Sequence, residues 1–392
     1  MKIIIRNCNV AELDIPLKYA TKLYNEFAIR HPNAFYLRTR QRGMQNWDGK
    51  IKYITKTGQF KIGLLPSVYK RCIELGIKPI IVDMRQPLPK VSKVVTQIGK
   101  YKLRPEQEKA VKAILSNKLG ETPFQIGVLD YTVNAGKTLI MSALYLSYKK
   151  QLKTLLITND SDWLNQARDE FKQYLPGEDI TFVQGKVLNW SNFTIGMVQS
   201  ISRNMKYYQN ELAKIDMVLI DEADQGGSKQ YQNVITRLFN TRVRIGLSGT
   251  IYMSKLAKDK VKNMNLRCFF GDVIAEFKLK DSIKKGYSTK TIVKTVEGKP
   301  WFGNWESDCM SYNEIYDDSI THNKIAWTMA LDRLKWNLNQ GRYPALVVCK
   351  HIAHCENLCK FFKKKLDNKY NIACVHVNTH TKLRQQIMKD FR

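Results

Sequence analysis

The chain has 392 residues, 44% hydrophobic and 25% charged. That composition excludes wholesale disorder and a collagen-like or coiled-coil rod, and at roughly 150 residues per domain it allows two or three domains. No apolar run approaches the ~20 residues that cross a bilayer, and the apolar stretch after Met1-Lys2 is too short for a signal peptide, so a reducing cytoplasm with no membrane contact is expected. With 64 Lys and Arg against 35 Asp and Glu the formal charge is +29. A chain this basic is drawn to polyanions, of which nucleic acid is the commonest. Residues 1–100 hold 19 Lys/Arg and 6 Asp/Glu, so +13 of the +29 sits in about a quarter of the chain.

In chain order, residues 1–90 read as a small α+β domain: an amphipathic helix over Leu17–Ile29, a strand over Lys50–Thr55, a helix over Pro66–Leu75 and a strand over Lys78–Val82. Gln86-Pro87-Leu88-Pro89 marks its end. Over residues 91–290, short apolar runs alternate with helical patterns: Phe124–Leu129, Thr154–Thr158, Phe193–Val198, Met217–Ile220 and Arg244–Leu247. Strands spaced by helices predict a mostly parallel sheet covered on both faces. A further unit, residues 291–392, offers Tyr343–Cys349 and Ile372–Val377 as strands, too few for a complete doubly wound domain.

The sharpest chemical signal is Tyr131-Thr132-Val133-Asn134-Ala135-Gly136-Lys137-Thr138, between the buried strand Phe124–Leu129 and the helical run Leu139–Tyr148. A strand, a tight loop and a helix N-terminus together make a phosphate cradle of backbone N–H groups. Lys137 would reach the β- and γ-phosphates, and the Thr138 hydroxyl would help hold magnesium. Tyr131 stands where the usual GxxxxGK[ST] pattern has glycine. About 85 residues on, the apolar run Met217–Ile220 leads into Asp221-Glu222-Ala223-Asp224. Asp221 would bind the metal, and Glu222 would orient and deprotonate the attacking water. Leu103-Arg104-Pro105-Glu106-Gln107 opens a helix, with Gln107 able to pair with adenine; Gln166, Gln199 and Ser200 follow strands, as does Ser248-Gly249-Thr250.

Taken in order, these motifs resemble the first motor domain of superfamily-two helicases, over about residues 100–390. The resemblance implies an α/β fold: a RecA-like P-loop parallel-sheet domain and an incomplete second RecA-like domain behind the small N-terminal domain. It implies ATP and Mg²⁺ as cofactors, with ATP held by Arg104, Gln107, Asn134, Ala135, Gly136, Lys137 and Thr138. It makes Asp221, Glu222 and Lys137 catalytic, Thr138 and Asp221 the metal ligands, and Ser248, Gly249 and Thr250 the coupling motif. The Asp-Glu-Ala-Asp string suggests a DEAD-box protein, but the Pro-Thr-Arg-Glu-Leu motif of that family is absent. Gln45-Asn46-Trp47-Asp48-Gly49-Lys50-Ile51, Ile245–Thr250 and Cys349–His354 are similar to the UvsW-type branch-migration helicases of T-even phages. Lys137-Thr138 and Ala223-Asp224 depart from that type toward the commoner ATPase pattern. The likeness implies a monomer in the host cytoplasm that remodels branched or forked DNA and single-strand/duplex junctions in recombination, repair or replication. An RNA-remodelling helicase and a non-catalytic, nucleotide-switched DNA-binding protein are the alternatives. The family's arginine helix matches Arg384, but its terminal arginine motif has no counterpart before residue 392, so slow hydrolysis by this chain is the expectation.

Contacts to DNA are expected at phosphates, since a motor passes over any sequence. The N-terminal candidates are Arg38, Arg40, Arg42, Lys50 and Lys52, with Lys56 and Lys61, interleaved with Tyr36, Trp47, Tyr53 and Phe60. Arg40 and Arg42 are read as one side of an extended strand. In the motor the candidates are Gln166, Gln199, Ser200 and Arg203. Cys349, His351, His354, Cys355 and Cys359 could be a zinc site on paper, but Ala345–Cys349 reads as a buried strand. Cys355, Leu358, Cys359 and Phe362 repeat at helical spacing, which favours core packing.

Overall fold

The computed structural model describes residues 1–41, 43–91, 93–185, 187–252, 257–290, 293, 295, 311–366 and 369–391. Strands rich in Ile, Leu and Val with both faces apolar can be satisfied only between two helical layers, and this is where the central runs lie. Ile126–Tyr131, Thr154–Thr158, Met217–Asp221 and Val243–Ser248 are buried along their whole length.

The N-terminal sheet has four strands, Lys2–Ile5 (β1), Val10–Asp14 (β2), Gln59–Lys61 (β3) and Ile80–Asp83 (β4), in the order β3-β2-β1-β4. Only β1 and β4 run parallel. The large sheet comprises Ile126–Tyr131 (β5), Thr154–Thr158 (β6), Ile180–Gln184 (β7), Phe193–Met197 (β8), Met217–Asp221 (β9), Val243–Ser248 (β10) and Val273–Phe277 (β11). These seven are parallel in the order β7-β8-β6-β9-β10-β5-β11, with the short Val187–Leu188 antiparallel at the β7 edge. This is a RecA-like sheet. Alternate residues feed opposite cores: Leu155 and Ile157 pack on one side, Leu156 on the other.

Apart from the corrections below, the predicted helices and strands fall within a few residues of the observed ones: the helix expected over 17–29 is Leu17–Glu26, with a short strand, Ala28–Arg30, after it. The extended strand expected at Arg40 is corrected. Arg40 ends the helix Ala34–Arg40, which also carries Arg38, because Ala, Phe, Leu and Arg between Asn33 and Gln41 carry no β-branched run to oppose a turn of helix. Arg42 lies outside the described residues. The strands expected at Tyr343–Cys349 and Ile372–Val377 are also corrected. Among the described residues no ladder joins either segment to a neighbour, and a strand exists only as one member of a pair. Leu346, Val348 and Val377 are accordingly 75%, 82% and 76% exposed, so Ala345–Cys349 is not a buried strand.

Two compact units result, Met1–Lys290 and Thr291–Arg392. Within the first, the small sheet is packed against the large one. Ile3, Ile5, Leu23 and Val68 share one hydrophobic cluster with Ile126, Val218 and Ile220. At its centre is Arg244 of β10, 1% exposed, which donates to Cys8 O at 2.9 Å, Asn9 Oδ1 at 2.8 Å and Phe269 O at 3.3 Å. Burial pulls this guanidinium down to about 10, so it stays charged at neutral pH. Asn9 in turn donates to Thr236 O at 3.1 Å, and the Tyr53 hydroxyl donates to Asn265 Oδ1 at 3.0 Å. The second unit has the helices Lys324–Asn339, Ile352–Lys365 and Thr381–Phe391 around a small core of Leu331, Leu358, Phe362 and Leu366.

Gly63 sits where the two parts of the first unit touch, and a Cβ there would collide with Arg267 O and Cys268 O, both backbone atoms. Gly63→Ala should lower the unfolding free energy by about 1–3 kcal/mol, read by urea denaturation. Unchanged stability would mean the two sheets are not locked at this contact.

Candidate nucleotide site

In parallel sheets, ligands gather at the carboxyl ends of the strands, and the register here brings the motifs to one rim. Asp130, just before the loop, pairs in register with Ser248, and Asp221 pairs with Leu247. After β5 the chain turns through Asn134 at φ 63° and Gly136 at φ 71° into the helix Lys137–Ser147. Those two positions need the left-handed region; asparagine tolerates it and glycine adopts it freely. At 136 a Cβ would also force the Gln107 amide out of its place. Tyr131 is still strand and needs no such freedom. It is fully buried, and its hydroxyl donates to Glu106 O at 2.8 Å, which explains a tyrosine where the usual pattern has glycine.

Gln107 and Arg104 brace this loop from the helix Pro105–Leu115. The Gln107 side chain donates to Ala135 O at 2.9 Å and accepts from the Arg104 N–H at 2.8 Å. Arg104 donates to Asn134 O at 3.0 Å, and its guanidinium lies 4.4 Å from the Tyr287 ring centroid. Gln107 is 2% exposed; one amide hydrogen and one lone pair remain for a base edge. Sequence reading assigned this residue to adenine alone and missed its grip on the loop, which no local pattern could announce across 28 residues. It also missed the ion pairs that back the site. Lys285 meets Glu106 at 2.7 Å, and Lys278 pairs with the buried Asp130.

At the rim Asp221 is buried, and its Oδ1 has no hydrogen-bond partner. Burial pushes its carboxyl above the usual aspartate range, with Lys137 pulling the other way. Glu222, exposed and at φ 52°, is also raised, first by desolvation and then by Asp221, Asp224 and Asp160. Four acidic groups thus act on each other around one lysine, a field that favours a cation. Among the described residues no three His, Cys, Asp or Glu side chains form a ready-made metal cage; Mg²⁺ is commonly held by one or two carboxylates plus substrate phosphates, and the orphaned Asp221 oxygen with the buried Thr138 fits that demand. Ser248 donates to Asp224 Oδ1 at 2.8 Å and accepts from the Thr250 N–H at 3.1 Å, tying the Ser248-Gly249-Thr250 segment to the acidic one.

The proposed DNA contacts divide. Arg38 and Arg40 share an exposed helix with Phe35 (80% exposed) and Tyr36, and Arg40 lies 4.9 Å from the Tyr36 ring centroid. Phe35 was missed because it reads as an ordinary apolar residue. Lys50 is exposed; Lys52 is held by Asp48 at 3.2 Å and lies over the Tyr24 ring. Trp47 is half-buried and donates to Lys50 O, while Phe60 and Tyr53 belong to the core and the joint with the motor. In the motor, Gln166 is held by Glu170, Gln199 donates to Asn159 O at 3.4 Å, Ser200 accepts from the Gly185 N–H at 2.9 Å, and Arg203 is exposed.

Residues 100–253 match the family model of the type III restriction enzyme, res subunit. Over 366 residues the chain is 23% identical to the ATP-dependent DNA helicase uvsW of Enterobacteria phage T4, covering 86% of this chain and 68% of that one. A crystal structure of UvsW helicase from bacteriophage T4 aligns with a TM-score of 0.56 at 21% identity, covering 70% of this chain and 100% of that chain, which shows a shared fold. A protein of Acanthamoeba polyphaga mimivirus, named as an ATP-dependent RNA helicase, is 26% identical over 147 residues, 37% of this chain and 27% of that one. Residues 100–253 thus carry the res-subunit type of domain, and the chain resembles the UvsW helicase in sequence and in fold.

Proposed function

We propose that the protein is an ATP- and Mg²⁺-dependent DNA helicase or translocase that remodels branched DNA. The observation that carries this is the common rim of Gly136-Lys137-Thr138, Asp221-Glu222 and Ser248-Gly249-Thr250 on one parallel sheet, joined to an exposed basic, aromatic helix in the same compact unit. Residues 1–90 serve as the DNA-recognition domain, 91–290 as the first motor domain and 291–392 as part of the second.

In this reading the N–H groups at the start of the helix Lys137–Ser147 receive the phosphates, where the helix dipole favours negative charge. Lys137 neutralises the β- and γ-phosphates, and Arg104 and Gln107 hold the loop while presenting the remaining amide groups to adenine. Thr138 and Asp221 would hold Mg²⁺, which when bound offsets the charge on the phosphates. Glu222 orients water and takes its proton; its raised carboxyl makes it a better base than an ordinary glutamate. Ser248 and Thr250 report the state of the acidic motif through Asp224. Arg38, Arg40, Lys50 and Lys52 grip phosphates at a junction, with Gln166, Gln199, Ser200 and Arg203 along the tracked strand, and Phe35 and Tyr36 offer stacking surfaces. The mimivirus likeness favours RNA as a second substrate class, so the assay includes both.

Lys137→Ala should reduce ATP hydrolysis and strand displacement by at least ~10²-fold while leaving junction affinity intact, measured on duplex, four-way-junction DNA and RNA. Displacement that survives in the variant would refute a motor. Arg38→Glu with Arg40→Glu should weaken junction binding and flatten the slope of log affinity against log salt by about 2, with nucleotide binding unchanged; an unaltered slope removes this helix from the DNA contact. Because the folded-state carboxyl of Asp221 is raised, the folded protein holds a proton above the ordinary aspartate range where the unfolded chain has lost it. Stability from this group falls as pH rises through that window. Asp221→Asn should therefore raise the melting temperature of nucleotide-free protein at pH 7 and abolish Mg²⁺-dependent hydrolysis. A lowered melting temperature would contradict the burial argument.

A further inference from the structure

The cysteine and histidine group near residue 350 is taken apart in the fold. His351 Nδ1 pairs with Asp317 Oδ1 at 2.6 Å, and the buried His354 stacks its ring on Trp327 with centroids 6.4 Å apart. The sulfurs turn another way. Cys355, on the helix Ile352–Lys365, has its Sγ 3.2 Å from that of Cys374, on the chain segment that runs back past the helix. Cys359 follows Cys355 at i+4 on the same helical face, while Cys349 packs on the small core and its thiol also hydrogen-bonds with Cys355. All four are half-buried, within reach of a small molecule. Among the described residues no group of three ligating side chains could hold a metal, so the sulfur contact is not part of a metal cage.

We propose that Cys355 and Cys374 are a modification site, closing to a reversible intramolecular disulfide on reaction with a low-molecular-weight disulfide. A bond needs the sulfurs at about 2.05 Å, and from direct contact that is a matter of side-chain rotation. Cys355 loses its proton and attacks one sulfur of the oxidant; the departing thiolate takes up a proton and leaves as a thiol. Cys374 then loses its proton and attacks the Cys355 sulfur, forming the protein disulfide and releasing the second thiol. Two protein thiols are oxidised by two electrons and one small disulfide is reduced to two thiols. Burial, and next the neighbouring Cys355, push the Cys374 thiol up to about 12.

The bond would tie the helix to a segment that has no strand partner among the described residues, in a unit whose described core is small. Small cores commonly rely on such a staple. The test treats the full chain with millimolar glutathione disulfide, blocks free thiols and digests with trypsin without reduction. The peptide His351–Lys360 should appear joined to Tyr370–Lys382, two hydrogens lighter than their sum and separated by dithiothreitol, at a rate independent of protein concentration. The link should persist in Cys359→Ser and vanish in Cys374→Ser, and oxidation should raise the melting temperature of the parent but not of Cys374→Ser. Stable glutathione adducts without the link, a link through Cys359, links only between molecules, or an unshifted melting temperature would each overturn the proposal.

Discussion

A buried carboxylate with one bare oxygen, facing a lysine across the rim of a parallel sheet, sets the terms for the motor unit. Asp221 is desolvated by the strands around it and shares its neighbourhood with Glu222, Asp224 and Asp160. Lys137 offsets only part of that charge. An ionised group removed from water is costly unless paired, so the rim is electrostatically unfinished. A polyphosphate with its cation supplies both missing signs at once: negative oxygens for Lys137 and the helix N–H groups, positive charge for Asp221. The sheet can carry this strain because its strands are buried from end to end and locked in register.

The same logic explains how the loop is kept open for a ligand. A turn with Asn134 and Gly136 in the left-handed region has carbonyls that point away from the helix it precedes. Gln107 and Arg104 take up the carbonyls of Ala135 and Asn134, so those two oxygens are satisfied without closing the loop on itself. Lys285 and Tyr287 then hold Glu106 and Arg104 from the opposite side. The segment that leads out of the first unit is thereby in contact with the residues that shape the phosphate loop.

Much of this was legible in the sequence where one residue type can satisfy only one environment. Runs such as Leu155-Leu156-Ile157 and Met217–Ile220 have no polar face and so must be central strands. Gly136-Lys137-Thr138 between strand and helix permits few other uses. The outer strands were missed because Ile180-Thr181-Phe182-Val183-Gln184 and Val273-Ile274-Ala275-Glu276-Phe277 mix polar and apolar residues, as half-exposed strands do. The end of the helix at Arg40 was misread because Arg40 and Arg42, two apart, look like one face of a strand. Tyr343–Cys349 and Ile372–Val377 have strand-like composition, but pairing is a property of neighbours and not of a segment. Joints such as Arg244 to Cys8 and Asn9 lie more than two hundred residues apart in sequence and leave no local trace.

Arg244 and Ser248 stand on the same strand, β10, four residues apart. One end of that strand is anchored in the carbonyls of the small basic sheet, and the other carries the hydroxyl bonded to Asp224. A single run of backbone thus joins the turn of the small sheet to the acidic rim of the large one, and a change at either end has only four residues to cross.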